Sequence, residues 1–219
     1  MVRAIHSPTE TYVRIPAGWH HLEGILGMPE NPRGVIVFAH GSGSGRFSPR
    51  NQFVAAELRQ GGLATLLIDL LEEGEEEDRR KVFDIELLAD RLRHAAEWLS
   101  QQHDTAALPI GYFGASTGAA AALVAAARHP GTVQAIVSRG GRPDLADDDL
   151  LDVITPTLLI VGGCDDMVID LNQQALQRLR CPKQLVVIPG ATHLFPEPGA
   201  LEEVARLARD WFHRYLSEE

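Results

Sequence analysis

From residue 34 onward the chain alternates short apolar runs with longer amphipathic ones. "GVIVFAH", from Gly34 to His40, is β-branched and ends in glycine, which suits a strand buried on both faces. "PRNQFVAAELRQGG" then spaces Phe53, Val54, Ala56 and Leu58 at helical intervals and stops at Gly61–Gly62. "LATLLIDL" is strand-like again. From Val82 to Ser100, the residues Val82, Ile85, Leu88, Leu92, Ala95, Ala96 and Leu99 make one apolar helical face. "LPIGYFG" predicts a strand, and the alanine-rich stretch Ser116–Arg128 a helix able to lie close to a sheet. The strands "VQAIVSRGG", "TPTLLIVGG" and "KQLVVIPGA" follow, with helices over Leu171–Leu179 and Leu201–Tyr215. Two earlier runs, "TYVRI" (11–15) and "HLEGILGM" (21–28), predict strands joined around Pro16–Gly18.

That order gives an α/β fold: a mostly parallel sheet covered on both faces, with the two early strands as an antiparallel edge. No composition break or internal repeat divides it, so a single domain over 1–219 is expected. "LLEEGEEEDRRKV" (70–82) stands out. Six acids between Glu72 and Asp78 precede Arg79, Arg80 and Lys81, and the segment reads as a solvated loop entering the next helix.

Composition narrows the function classes. The formal net charge is −10, which argues against a nucleic-acid partner, because such surfaces are basic. Two cysteines, Cys164 and Cys181, are too few for a disulfide scaffold and suit a cytoplasmic chain with reduced thiols. "MVRAIHSPTE" has no apolar core for a secretory leader, and no run is long enough to span a membrane.

The chemistry follows from where loops fall. Ligands in open α/β sheets bind beyond the carboxyl ends of the strands. The loops there are "HGSGSGRFSPR", "GASTG", "GGCDDMV" and "PGATHLFPEP". Ser116 lies in G-x-S-x-G between a strand and a helix, the pattern of a nucleophile on a sharp turn. The small residues at Gly114 and Gly118 let strand and helix cross closely. His193 is the candidate base, since imidazole titrates where a serine needs help. His40 opens a glycine-rich turn and more naturally braces it. The imidazole needs a carboxylate, and Asp165, nearest the strand end, is preferred over Asp166 and Asp170. Backbone N–H groups of Thr117 and Ser42 are the expected oxyanion donors. Arg46 and His40 are candidate substrate contacts. No H-E-x-x-H or Cys/His cluster supports a metal site, and "GSGSG" lacks the GK[ST] of a phosphate loop.

With these motifs the chain resembles the α/β-hydrolases, and within them the compact dienelactone-hydrolase-like group of small carboxylesterases. "HGSGSG" (40–45), "GASTG" (114–118), "GGCDDMV" (162–168) and "GATHLF" (190–195) carry the resemblance, in the chain order serine, acid, histidine. It implies an eight-stranded sheet whose first two strands pair antiparallel, hydrolysis of esters or related acyl compounds, and no cofactor. It also singles out Asp165 as the acid, through the D-x-x-V spacing to Val168. Dienelactone hydrolases look to use cysteine where this chain has Ser116, so a carboxylesterase-like serine hydrolase is the expectation. A thioesterase, a peptidase or a non-catalytic binding protein would use the same scaffold. No lid insertion is visible, and the connection 140–156 with Arg142 suggests a shallow pocket for small soluble esters. Cys164, beside the acid, is expected to be buried packing.

Overall fold

The computed structural model describes residues 9–216. Most of the amino-terminal stretch read for a leader, residues 1–8, lies outside them. Among the described residues, no helix is long and apolar enough to cross a membrane.

Eight strands form one sheet in the order β1-β2-β4-β3-β5-β6-β7-β8. These are β1 (Thr9–Ala17), β2 (His20–Met28), β3 (Val35–Ala39), β4 (Ala64–Ile68), β5 (Ile110–Ala115), β6 (Ala135–Arg139), β7 (Thr157–Gly162) and β8 (Lys183–Ile188). The β1–β2 and β2–β4 pairs are antiparallel, and every other neighbouring pair is parallel. Strands β3, β4, β5, β6 and β7 are buried along their whole length, as the unbroken apolar runs predict. By contrast, β2 alternates exposed and buried positions over His21–Gly24, the mark of a strand with one wet face.

The helices are α1 (Pro49–Gln60), α2 (Arg79–Val82), α3 (Ile85–Gln101), α4 (Thr117–Arg128), α5 (Asp166–Arg178) and α6 (Ala200–Tyr215). One face of the sheet carries α1 and α6, packed on Ile36, Phe38, Phe113, Val137 and Ile160. The other carries α3, α4 and α5, packed on Val35, Val37, Tyr112, Ile136 and Leu159. Helix α4 is buried from Thr117 to Ala127, which its alanines allow, since larger side chains would hold it off the sheet.

Two expectations need correcting. Helix α5 starts at Asp166, five residues before the predicted Leu171. Its inner stripe is Val168, Asn172 and Ala175, and the polar Asn172 hides the period. That side chain is fully buried because its Nδ2 donates to the Gly141 and Val168 carbonyls, at 3.0 and 2.8 Å. The acidic segment is also not a solvated loop throughout. Glu75–Glu77 form a short 3-10 turn, and Glu75 turns inward. Its carboxylate binds the buried Arg91 guanidinium and Lys81 Nζ, and accepts the Glu72 N–H. Arg91 also donates to the Leu70 carbonyl at 2.6 Å. Glu72 in turn holds His20 Nδ1 at 2.7 Å, tying the segment to β2. Beside Arg91, Glu75 has its pKa held down at about 2.

Candidate active site

Ser116 sits between β5 and α4 with φ 51° and ψ −120°, one of few non-glycine residues at positive φ. Such a backbone costs on the order of 1–3 kcal/mol and persists only where the surroundings impose it. The surroundings here are tight. A Cβ on Gly118 would lie 2.1 Å from the Ala39 carbonyl oxygen, and one on Gly114 would lie 2.4 Å from Ala119 Cα. Gly41 closes the third side, its notional Cβ only 2.9 Å from that of Ser116. Glycine is therefore required at each point where the turn crosses its neighbours. Although Ser116 occupies the cap position of α4, its side chain makes no capping bond, so the hydroxyl is not spent on the helix.

His193 lies in a stapled loop. Gly163 N–H donates to the Ile188 carbonyl and Cys164 N–H to the Ala191 carbonyl, at 2.8 and 2.9 Å, joining the loops after β7 and β8. Phe195, at φ 55° and only 1% exposed, anchors the far side of the turn in the core. Thr192 Oγ1 donates to Glu197 at 2.6 Å. Held this way, His193 Nδ1 meets Asp165 Oδ2 at 2.6 Å, a short hydrogen bond to a carboxylate. Asp165 makes no capping bond to α5 either. Its carboxylate turns instead to the imidazole, while Asp166 begins the helix.

One turn borders both the serine and the histidine. The Arg139 carbonyl accepts the Ser116 N–H at 3.3 Å, and the Ser116 carbonyl accepts the Arg142 N–H at 3.0 Å. Between them, a Cβ on Gly140 would stand 3.5 Å from both His193 Cε1 and Nδ1. Asn172 pins the same turn through the Gly141 carbonyl. Among the described residues no hydrogen bond joins Ser116 Oγ to His193, a common state of such sites without substrate.

The Thr117 N–H is at the first position of α4, where no preceding turn supplies an acceptor. Ser42 lies across from it, and a pocket of about 10 Å³, lined by Gly41, Ser42, Glu76 and Thr117, opens between the two loops. That is room for about one water molecule.

His40 and Arg46, expected as candidate substrate contacts, are committed within the protein. His40 is 5% exposed. Its Nε2 accepts the Leu70 N–H at 2.8 Å, so Nδ1 carries the proton and donates to the Gly41 carbonyl at 2.9 Å. Burial holds its pKa below the usual histidine value, keeping the ring neutral. It braces the loop carrying Ser42. Arg46 is bound to Asp69, which accepts both its backbone N–H and its guanidinium. Cys164, expected to be buried, is exposed; Cys181 is the buried thiol.

Sequence reasoning passed over two residues at this edge, Arg139 and Arg50. Arg139 ends β6 on the face shared with Ala135 and Val137, and it is 7% exposed. Its Nε and Nη1 are buried without a partner, as is Nε of Arg50 in the first turn of α1. Burial and the neighbouring Arg50 charge lower the Arg139 pKa to about 10. The available signal was an arginine closing an apolar strand immediately before Gly140–Gly141, at the edge where ligands bind.

Comparison with known proteins fits this architecture. Residues 30–142 match the family model described as serine aminopeptidase, S33, a segment that holds the His40–Gly45 loop and Ser116. A putative phosphoribosyl transferase of Mycobacterium tuberculosis is 60% identical over 93% of this chain and 46% of its own length. The chain thus spans about half the length of the curated relatives it matches. Among solved structures, a dienelactone hydrolase from Anabaena variabilis is 57% identical, with a TM-score of 0.93 over 96% of this chain and 99% of that one. Est1E from Butyrivibrio proteoclasticus shares the fold at 16% identity, with a TM-score of 0.79 over 93% of this chain and 98% of that one. The strained serine turn, the sheet order and these matches together establish that the chain belongs to the α/β-hydrolases, in the family described as serine aminopeptidase, S33, and is related to dienelactone hydrolase.

Proposed function

We propose that the chain is a serine hydrolase that cleaves small, soluble carboxylic esters through an acyl-enzyme. The observation that carries this reading is the Gly140 turn, which touches Ser116 on one side and the Asp165-bound imidazole on the other. Ser116 Oγ attacks the ester carbonyl carbon and gives its proton to His193 Nε2. Asp165 holds Nδ1–H and stabilises the imidazolium. The Ser42 and Thr117 N–H groups receive the oxyanion. As the tetrahedral intermediate collapses, the alcohol leaves with the His193 proton. Water, deprotonated by His193, then attacks the acyl-serine, and the acid departs as Ser116 regains its proton.

The kinship to a dienelactone hydrolase at 57% identity supports an ester or lactone bond. Exposed Phe47, Met167 and Leu194 each neighbour a site loop and suit a compact organic substrate in an open site. The family's aminopeptidase description points to peptides as a second reading. An aminopeptidase must seat a substrate ammonium, and the guanidinium groups of Arg139 and Arg50, whose buried nitrogens lack partners, repel one. The phosphoribosyl transfer named for the mycobacterial relative belongs, on this reading, to the half of that protein outside the match. Two free cysteines support a reducing, cytoplasmic setting.

A fluorophosphonate probe should label Ser116 in the folded protein. p-Nitrophenyl acetate turnover should fall about 10⁴-fold or more in Ser116→Ala. Equal turnover in the two proteins overturns the hydrolase reading. An unlabelled, folded wild type favours a binding protein on the same scaffold.

A further inference from the structure

Buried cations in this acid-rich chain normally have carboxylates. Arg91 has Glu75 and Arg59 has Glu10, and Arg46 is bound to Asp69. Arg139, which is buried, and Arg50, which is half-buried with its Nε covered, differ. Among the described residues neither guanidinium has an ion pair or a hydrogen bond, although 30 acids stand against 20 basic residues in the chain. Each is moreover the other's electrostatic neighbour, so burial and like charge act against Arg139 together. Arg50 also occupies the first turn of α1, where the helix dipole opposes a cation and no acid is present. Among the described residues no carboxylate pairs with either guanidinium. A bound anion would, and guanidinium forks suit multi-oxygen anions.

We propose that Arg139 and Arg50 form a binding subsite for a phosphate monoester group, so that the ester cleaved at Ser116 carries a phosphate close to its scissile bond. Location supports this. The Arg139 carbonyl holds the Ser116 N–H, which puts the subsite one strand over from the reacting hydroxyl. Charge number chooses phosphate. A phosphate monoester carries a charge of about −1.5 to −2 near neutrality, matching two guanidinium groups and the start of α1. A carboxylate would leave one cation unbalanced. The subsite deepens the proposed hydrolase reading, resting on it only for the bond that is cleaved.

The test separates the two. Thermal unfolding of wild type and Ser116→Ala is followed in inorganic phosphate, acetate and chloride at equal ionic strength. Phosphate at about 30 times its Kd should raise Tm by about 5 °C in both proteins. The rise should vanish in Arg139→Met. In Arg50→Gln, a change on a helix surface, phosphate affinity should fall about tenfold. Phosphate should also raise the KM for p-nitrophenyl acetate in wild type. A phosphate shift in protein that no fluorophosphonate labels would keep the subsite while ending the hydrolase reading. No shift beyond chloride, an equal shift with acetate, or a shift that survives in Arg139→Met overturns the subsite.

Discussion

Arg91 and Arg139 are both buried arginines at the same end of the sheet, and their surroundings are opposite. Arg91 has Glu75 in a forked pair and the Leu70 carbonyl as a further acceptor. Arg139 has another arginine. The fold uses Arg91 to fasten the acidic segment onto α3, so its charge is answered from within the chain. At Arg139 no internal answer exists. Burial of a basic group is therefore not by itself a sign of function; the missing counter-charge is. His40 is a third case, a buried base that stays neutral because two backbone groups use its ring.

The largest effect is expected at the paired arginine. Arg91→Met leaves the largely covered Glu75 with only Lys81 as a cationic partner and strips the Leu70 carbonyl of a donor. Removing one member of such a pair costs about 3–5 kcal/mol, read as a lower urea midpoint at unchanged m-value. A loss below about 1 kcal/mol would make Arg91 no better anchored than a surface ion pair and dissolve the contrast.

Next comes His40. His40→Ala frees the Leu70 N–H and removes the donor to Gly41, so the Ser42 loop loses its support. A displacement of about 1 Å at the oxyanion donors can lower kcat about 10²-fold. KM for p-nitrophenyl acetate should change much less, because the loop acts on the transition state. An equal change in kcat and KM would instead make His40 a substrate contact.

Acid titration sharpens the contrast further. Glu75 has a depressed pKa, so its stabilisation is complete above the ordinary carboxylate value near 4.5 and is lost as pH falls toward about 2. His40 is also depressed. Being a base, it contributes stability above its ordinary value near 6.5 and loses it as the pH falls below that. Wild type should therefore weaken in two steps on acidification. Glu75→Gln should shrink the lower step by about 1–2 kcal/mol after solvent screening. A lower step unchanged in Glu75→Gln would place that titration elsewhere.

How much of this was legible varies with the distance over which each residue finds its partners. Ser116 could be read because Gly114 and Gly118, two residues either side, report the crowding of its turn. The strands could be read because burial on both faces removes polar positions from them. Asp165 needed the D-x-x-V spacing, since sequence position alone does not say which of two adjacent carboxylates faces a loop 28 residues away. Glu75 looked solvated within its acidic run, because Arg91 lies 16 residues on and only the packing of α3 brings it near. Arg139 was invisible for the converse reason. Its significance is an absence, and the lack of an acid beside it exists only once β6 and α1 are assembled.

The smallest expected effect carries the opposite sign and tests the comparison most directly. In the absence of phosphate, Arg139→Met removes a buried guanidinium whose Nε and Nη1 donate to nothing, and relieves its repulsion from Arg50. The methionine stem keeps the apolar contact made by the arginine's methylenes. Stability should then hold level or rise by about 1 kcal/mol, where Arg91→Met falls steeply. A residue whose removal stabilises the empty protein is one the fold does not need, as groups kept for a ligand often are. Matched urea melts in chloride buffer decide it: a fall of more than about 2 kcal/mol in Arg139→Met would mean that the arginine is built into the structure like Arg91, and the distinction between the two would fail.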